Sequence, residues 1–237
     1  MSAMPTSERS SVLDDVRRAL GTYDHALPHG RATAPAPLEP SVEAPGDGSA
    51  SDSVARFTRE ATAVGVHVHS MRSIDEAIEC AATICATVSG EVALSGAEFL
   101  SAIDLRSALT ARGLSTFRCG AQDSAEHEKL IARLAGCGVG VTAADYAIAE
   151  SGTIVLSSAE PNALLVSLLP PTHVAVLRSS QIVARLDEAI TKLAETTEAN
   201  AWRSATFITG PSRTGDVELV LSIGVHGPKE LHVIIVD

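Results

Sequence analysis

Several features that would point directly to a function are scarce or missing in this chain. Positive charge is scarce: 18 Lys and Arg stand against 29 Asp and Glu, for a formal net charge of -11 over 237 residues. A nucleic-acid binder needs a basic face, and an anionic membrane surface attracts basic segments, so both classes of partner are disfavoured. No apolar run reaches the roughly 18 residues of a membrane span. The first twenty residues, MSAMPTSERSSVLDDVRRAL, lack the apolar centre of a secretory signal. The expectation is a cytoplasmic protein. Paired cysteines are missing too: Cys80, Cys85, Cys119 and Cys137 contain no C-x-x-C. Iron–sulfur clusters need clustered thiolates, so no cluster is expected on this chain, and the four thiols read as reduced core residues. HExxH, the Walker-A lysine motif and G-x-G-x-x-G are absent; GCGVG at Gly136–Gly140 leads into a strand instead of out of one. His67 and His69 share one strand face, but two ligands do not make a structural zinc site, and a solvated face is the simpler reading. No metal site is expected. His173 and His232 read as satisfied core or edge residues.

Prolines are unevenly spread. Pro28, Pro35, Pro37, Pro40 and Pro45 fall in PHGRATAPAPLEPSVEAPGDGSAS, and none follows until Pro161. Such a stretch buries too little apolar surface to offset its ordering entropy and reads as a linker. Before it, Val12, Leu13, Val16, Ala19 and Leu20 form one helical stripe, with Ser10 or Ser11 to cap it and Gly21 to end it. Residues 1–50 are therefore expected to be a helix and flexible linker, and residues 51–237 the main domain.

In the main domain helical and strand periodicities alternate. VARFTREATAV is helical and VHVHS a strand. SIDEAIECAATICATV is a helix capped by Ser73, with Glu76 at the capping-box position. EVALS, STFRC, VGVTAAD, TIVLSS, HVAVLR, ATFITG and LHVIIVD read as strands. AEFLSAIDLRSALTARG, SAEHEKLIARLAG, NALLVSLL, SQIVARLDEAITKLAE and a short GDVELVLSIG read as helices. This alternation predicts a three-layer α/β/α fold on a mostly parallel sheet. HVAVLR and LHVIIV are nearly all apolar, as strands buried on both faces should be.

Open α/β sheets bind ligands at the carboxyl ends of strands, and two loops stand out there. After ATFITG, Gly210 and Pro211 turn the chain, and Ser212, Arg213 and Thr214 lead into the expected short helix. Thr214 would cap that helix, with Asp216 and Glu218 close behind. Free N–H groups and Arg213 would make an anion site; the same residues also suit a plain capped turn with Arg213 paired to Asp216 or Glu218. His226, in GVHGP, is a proton-transfer candidate or a turn histidine bonded to backbone. About eight helical residues at 1.5 Å each put roughly 12 Å between it and Ser212. The second loop, TAADYAIAESGT, carries Asp145 and Glu150. Glu150 suits a base, a nucleophile or an acceptor for loop amides, and Gly152 permits a tight turn before Thr153.

GVTAADYAIAESGTIVL, LPPTHVAVLRSSQIV and ITGPSRTGDVELVLSIGVHGPKELHVIIV, in that order, resemble the LUD-domain family in its lactate-utilisation protein C type. The resemblance covers about residues 51 to 237. It implies a NagB/RpiA/CoA-transferase-like fold and a part in oxidising L-lactate to pyruvate. It also implies partner subunits of the A and B types that carry the iron–sulfur clusters. By motif, Asp145, Glu150, Thr153, Ser212, Arg213, Asp216, Glu218 and His226 are the characteristic positions; Ser151 stands where a threonine is common. Three functions follow as expectations. One is an anion-binding subunit of a lactate-utilisation complex without its own cofactor. Another is a stand-alone CoA-transferase-like or sugar-phosphate-isomerase-like enzyme using Glu150. The third is a regulatory or assembly module that docks through the N-terminal helix.

Overall fold

LHVIIV and HVAVLR become the middle of the main sheet, where both faces of a strand are covered and alternation is lost. The computed structural model describes residues 50–120, 124–159, 162–195, 204–215, 221–223 and 227–237. The expected N-terminal helix and linker lie outside the described residues. Those described belong to one unit, Asp47–Asp237.

The elements run α1 (Ala50–Ala63), β1 (His67–Met71), α2 (Ile74–Thr87), β2 (Glu91–Leu94), α3 (Glu98–Ala102), α4 (Leu105–Ala111), β3 (Thr116–Arg118), α5 (Ser124–Ala135), β4 (Cys137–Ala143), β5 (Tyr146–Ile148), β6 (Thr153–Ser157), α6 (Ala163–Leu168), β7 (Thr172–Arg178), β8 (Ile182–Val183), α7 (Leu186–Glu195), β9 (Ala205–Ile208), β10 (Arg213–Gly215), β11 (Leu221–Ile223) and β12 (Glu230–Val236). Six strands make the main sheet in the order β1-β12-β7-β4-β2-β3, every pair parallel. On one face Val139, Val141, Val174, Val176, Ile234 and Val236 meet α2, α3 and α4. Ala77, Ala81, Ile84 and Cys85 supply the buried stripe of α2. The Ser73 hydroxyl accepts from the Glu76 amide at 3.2 Å, as the sequence predicts, while the Glu76 carboxylate accepts from the amide of Arg72. On the other face Phe57 and Ala61 of α1 pack on Ala175, Leu177, Val233 and Ile235, and α5 and α6 cover the β2–β4 end. Among the described residues no helix is long and apolar enough to cross a membrane.

Two expectations need correction. TIVLSS and ATFITG do not join the parallel sheet. They pair antiparallel as β6 and β9 in a second sheet of order β8-β5-β6-β9, in which β5 and β8 run parallel. This sheet shares the core beneath α1 and carries α7 on its other side. The reason is the bend after β4: β4 and β5 are separated by two residues, and the chain leaves the first sheet there, so its following strand folds back as a hairpin. Of the GDVELVLSIG stretch, expected to be a short helix, the described residues Gly215 and Leu221–Ile223 are strand. β10 and β11 pair antiparallel with Arg213 opposite Ile223 and Gly215 opposite Leu221. Val217, Leu219, Leu221 and Ile223 recur every second residue, a strand period, although Val217, Val220 and Leu221 also fit a helical one.

Candidate functional site

Strand β9 ends in a turn that brings several distant parts of the chain together. Gly210 has φ of +82°, and a Cβ there would lie 2.7 Å from the Val64 carbonyl oxygen, so only glycine fits. Past this turn the exposed Arg213 reaches back to the end of α1, where its Nη2 donates to the Val64 carbonyl at 2.6 Å. That is the guanidinium's one hydrogen bond among the described residues.

Two cavities adjoin this turn. One, of about 350 Å³, is bordered by Ser167, His173, Thr209, Ser212, Arg213 and Pro228, with Leu168 and Phe207 as apolar wall. The other, of about 510 Å³, is bordered by Arg56, Glu150, Ser151, Thr153, Leu186 and Ile190. Phe207 and Thr209 border both, so the end of β9 stands between them. A run of hydroxyls crosses the same place: Ser151 Oγ lies 2.7 Å from Thr153 Oγ1, which lies 2.7 Å from Thr209 Oγ1. Each hydroxyl both donates and accepts, so the run fixes all three side chains and leaves Thr209 facing the two openings. Phe207, Leu186 and Ile190 are exposed apolar side chains at these openings.

The neighbouring groups divide into chemical and structural. Glu150 borders the larger cavity, yet its Oε1 accepts from the Leu186 amide at 2.9 Å, at the first residue of α7. It therefore holds a helix start as well as facing the cavity. His173 is buried, with Nε2 2.9 Å from Thr142 Oγ1, and burial pushes it down to about 3, so it is a neutral ring at the cavity wall. Asp145 borders neither cavity. Its carboxylate accepts from the Ser157 amide at 2.6 Å, tying β5 to the end of β6, and burial raises its pKa above the ordinary value.

The expected site residues are thus sorted. Glu150, Thr153, Ser212 and Arg213 gather around the end of β9; Asp145 stands apart. Thr214 lies in strand β10 and not at a helix start, so the helix-start form of the anion cradle is not found at Thr214. Asp216, Glu218 and His226 lie outside the described residues. The expected distance from Ser212 to His226 lies outside the described residues, but Gly227 and Pro228 come close to Ser212: the Ser212 amide donates to the Pro228 carbonyl at 2.9 Å, and a Cβ on Gly227 would lie 3.3 Å from Ser212 Oγ. The hairpin folds the two breaks onto each other. Thr209, Phe207, Ser151, Arg56 and His173 were not predicted for the site. Thr209 alone had a visible signal, as the last residue before the Gly-Pro break. His67 and His69 are also not simply solvated: the His67 ring stacks on His232 with centroids 4.7 Å apart, and His69 Nε2 lies 3.1 Å from His232 Nδ1.

Comparison with known proteins follows the same lines. A family model described as LUD domain matches residues 54–236. The chain is 37% identical over 118 residues to lactate utilization protein C of Halalkalibacterium halodurans, covering 48% of this chain and 51% of that one. It is 36% identical over 135 residues to lactate utilization protein C 1 of Bacillus mycoides, covering 56% and 57%. The matches thus span about half the length of these curated relatives. A crystal structure of a DUF162 family protein from Deinococcus radiodurans superposes with a TM-score of 0.58 at 23% identity, covering 80% of this chain and 99% of that one, a likeness of fold.

Proposed function

The chain belongs to the LUD-domain family, and from that membership we propose that it is a subunit of an L-lactate utilisation system that binds a small anion beside β9. The relatives named lactate utilization protein C support the system. The observation that carries the site is the placement of Arg213: bonded to the Val64 carbonyl, exposed, and next to a cavity of about 350 Å³ whose other polar side chains, among the described residues, are hydroxyls and the neutral His173. A guanidinium can grip a carboxylate through two parallel bonds. Ser212 and Thr209 beside it can take or give a hydrogen bond to a 2-hydroxyl, so a 2-hydroxy acid matches the set.

In this reading the electrons move on partner chains of the A and B types, which carry iron–sulfur clusters, and the complex works in the cytoplasm. The cysteines here are consistent with it. Cys85 lies in one core cluster, Cys119 and Cys137 in another, and burial pushes the Cys85 thiol up to about 12 and Cys137 to about 11. Such thiols suit packing better than metal ligation, which uses the thiolate. Co-purification of the full chain from cells grown on L-lactate tests the assignment: iron–sulfur subunits should be recovered with it, and deletion should abolish growth on L-lactate. Normal growth after deletion, with no such partner recovered, refutes it.

A second reading has one observation in its favour: Glu150 borders the larger cavity. As a nucleophile its carboxylate would attack a thioester carbonyl, form an acyl anhydride and release the CoA thiolate. Intact-mass analysis after incubation with acyl-CoA thioesters would then show an acyl adduct on Glu150. An unmodified chain removes this reading.

A further inference from the structure

A third cavity lies far along the main sheet from β9, at the carboxyl ends of β2 and β3. It measures about 180 Å³ and is bordered by Leu94, Ser95, Ser101, Asp104, Arg106 and Arg118. At about 30 Å³ per water in the liquid, that is room for roughly six waters, or for a compact polyatomic ion.

Its position is set by topology. From β2 the chain passes to β3 on one side, whereas from β4, the other neighbour of β2, it goes on through the second sheet to β7 on the opposite side. The connections part between β2 and β4, and such a parting opens a crevice beyond the carboxyl ends of the strands. The walls are backbone-tight. The Ser95 amide donates to the Val141 carbonyl at 2.9 Å, and the Cys119 amide to the Leu94 carbonyl at 2.8 Å.

The floor holds an anomaly. Ser95 is 1% exposed, and its hydroxyl has no hydrogen-bond partner among the described residues. A buried hydroxyl is normally satisfied. Above it, Arg118 donates through Nη2 to the Gly96 carbonyl, which pins the guanidinium over the loop that follows β2. Arg106 comes in from α4, and Asp104 is the one carboxylate on the border. Among the described residues, two guanidiniums stand against one carboxylate at a cavity that Ser95 also borders.

We propose that this cavity is a second anion site, separate from the groove at Arg213, which takes a small oxyanion: the phosphoryl or carboxylate group of a small molecule. Ser95 donates its hydroxyl proton to one oxygen, and Arg106 and Arg118 supply charged N–H donors to the others.

Thermal unfolding of the full chain tests it, with inorganic phosphate and sodium acetate titrated at constant ionic strength made up with chloride. Wild type, Arg213→Ala, Ser95→Ala and Arg106→Gln are compared. The expected result is a saturable rise in Tm with one or both anions that persists in Arg213→Ala, while the apparent Kd weakens at least tenfold in Ser95→Ala and in Arg106→Gln. Protection by phosphate alone assigns a phosphoryl ligand, and by acetate alone a carboxylate. Without anion, Ser95→Ala should melt no lower than wild type, because its hydroxyl makes no bond among the described residues. The proposal is overturned if neither anion raises Tm or if Arg106→Gln is protected as well as wild type. It is also overturned if protection vanishes in Arg213→Ala alone, which would place the anion in the groove by β9 and leave that reading standing.

Discussion

The amide of Ser212 donates to the carbonyl of Pro228 at 2.9 Å, closing the two Gly-Pro breaks of the carboxy-terminal region onto each other. The β10–β11 hairpin is thus a loop tied off at its base, and Ser212, Arg213, Gly227 and Pro228 come to border one cavity. Gly227 is the tight point, with room for a Cβ only 3.1 Å from the Ser212 Cβ. Gly227→Val should push Ser212 aside and weaken anion binding at least fivefold while leaving Arg213 intact. Calorimetric titration of L-lactate onto this variant checks it, and wild-type affinity would show that Ser212 does not touch the guest.

Thr153 sits in the middle of the hydroxyl run from Ser151 to Thr209. Thr153→Val keeps the shape and removes both bonds, leaving two hydroxyls without their partner. A loss of about 1–3 kcal/mol of stability is expected, with weaker lactate binding because Thr209 is no longer held. Denaturant unfolding and a binding isotherm measure the two effects. A variant as stable and as tight-binding as wild type would mean that the run is incidental.

Gly152 has φ of +64°, and a Cβ there would collide with the backbone of Ala61 in α1. The left-handed conformation and the close approach of α1 to the β5–β6 turn both exclude a side chain. Gly152→Ala should cost at least ~2 kcal/mol, read as a lowered urea midpoint. An unchanged midpoint would show that α1 can move away freely.

Two histidines make stability depend on pH. His173 is pushed down to about 3 by burial, and His232 to about 4, by burial first and then by His67 and His69, with Glu230 acting weakly the other way. The ordinary value is 6.5, so below it the unfolded chain binds protons that the folded chain refuses. Stability is therefore fully present above about pH 6.5 and falls as pH drops from there towards 4. Urea midpoints at pH 7.5 and pH 5 should differ in that direction, and His173→Gln should shrink the difference. Equal midpoints at both pH values would contradict the burial of these rings.

Much of the fold was legible in the residues themselves. The stripe of Ala77, Ala81 and Cys85, the Ser73 cap and the unbroken apolar runs of β7 and β12 each have one physical solution. What periodicity could not show was which sheet a strand joins: β6 and β9 look like the strands of the main sheet, and only the bend after β4 sends them elsewhere. The short helix failed because a run such as VELVLSI offers apolar residues to either period, and pairing with Arg213–Gly215 decides for strand. The site was half legible for the same reason. Arg213 and Glu150 carry charge in suggestive loops, whereas Thr209, Phe207 and His173 earn their places only through neighbours far away in sequence.

The account stands most directly on whether Arg213 holds an anion. Titration of L-lactate and of pyruvate onto wild type and Arg213→Ala, followed by equilibrium unfolding, decides it. Saturable binding to wild type is expected, raising the unfolding free energy by about 2.7 kcal/mol at a hundredfold excess over Kd, with affinity at least tenfold weaker in Arg213→Ala. Equal binding by the two proteins, or none by wild type, would contradict it.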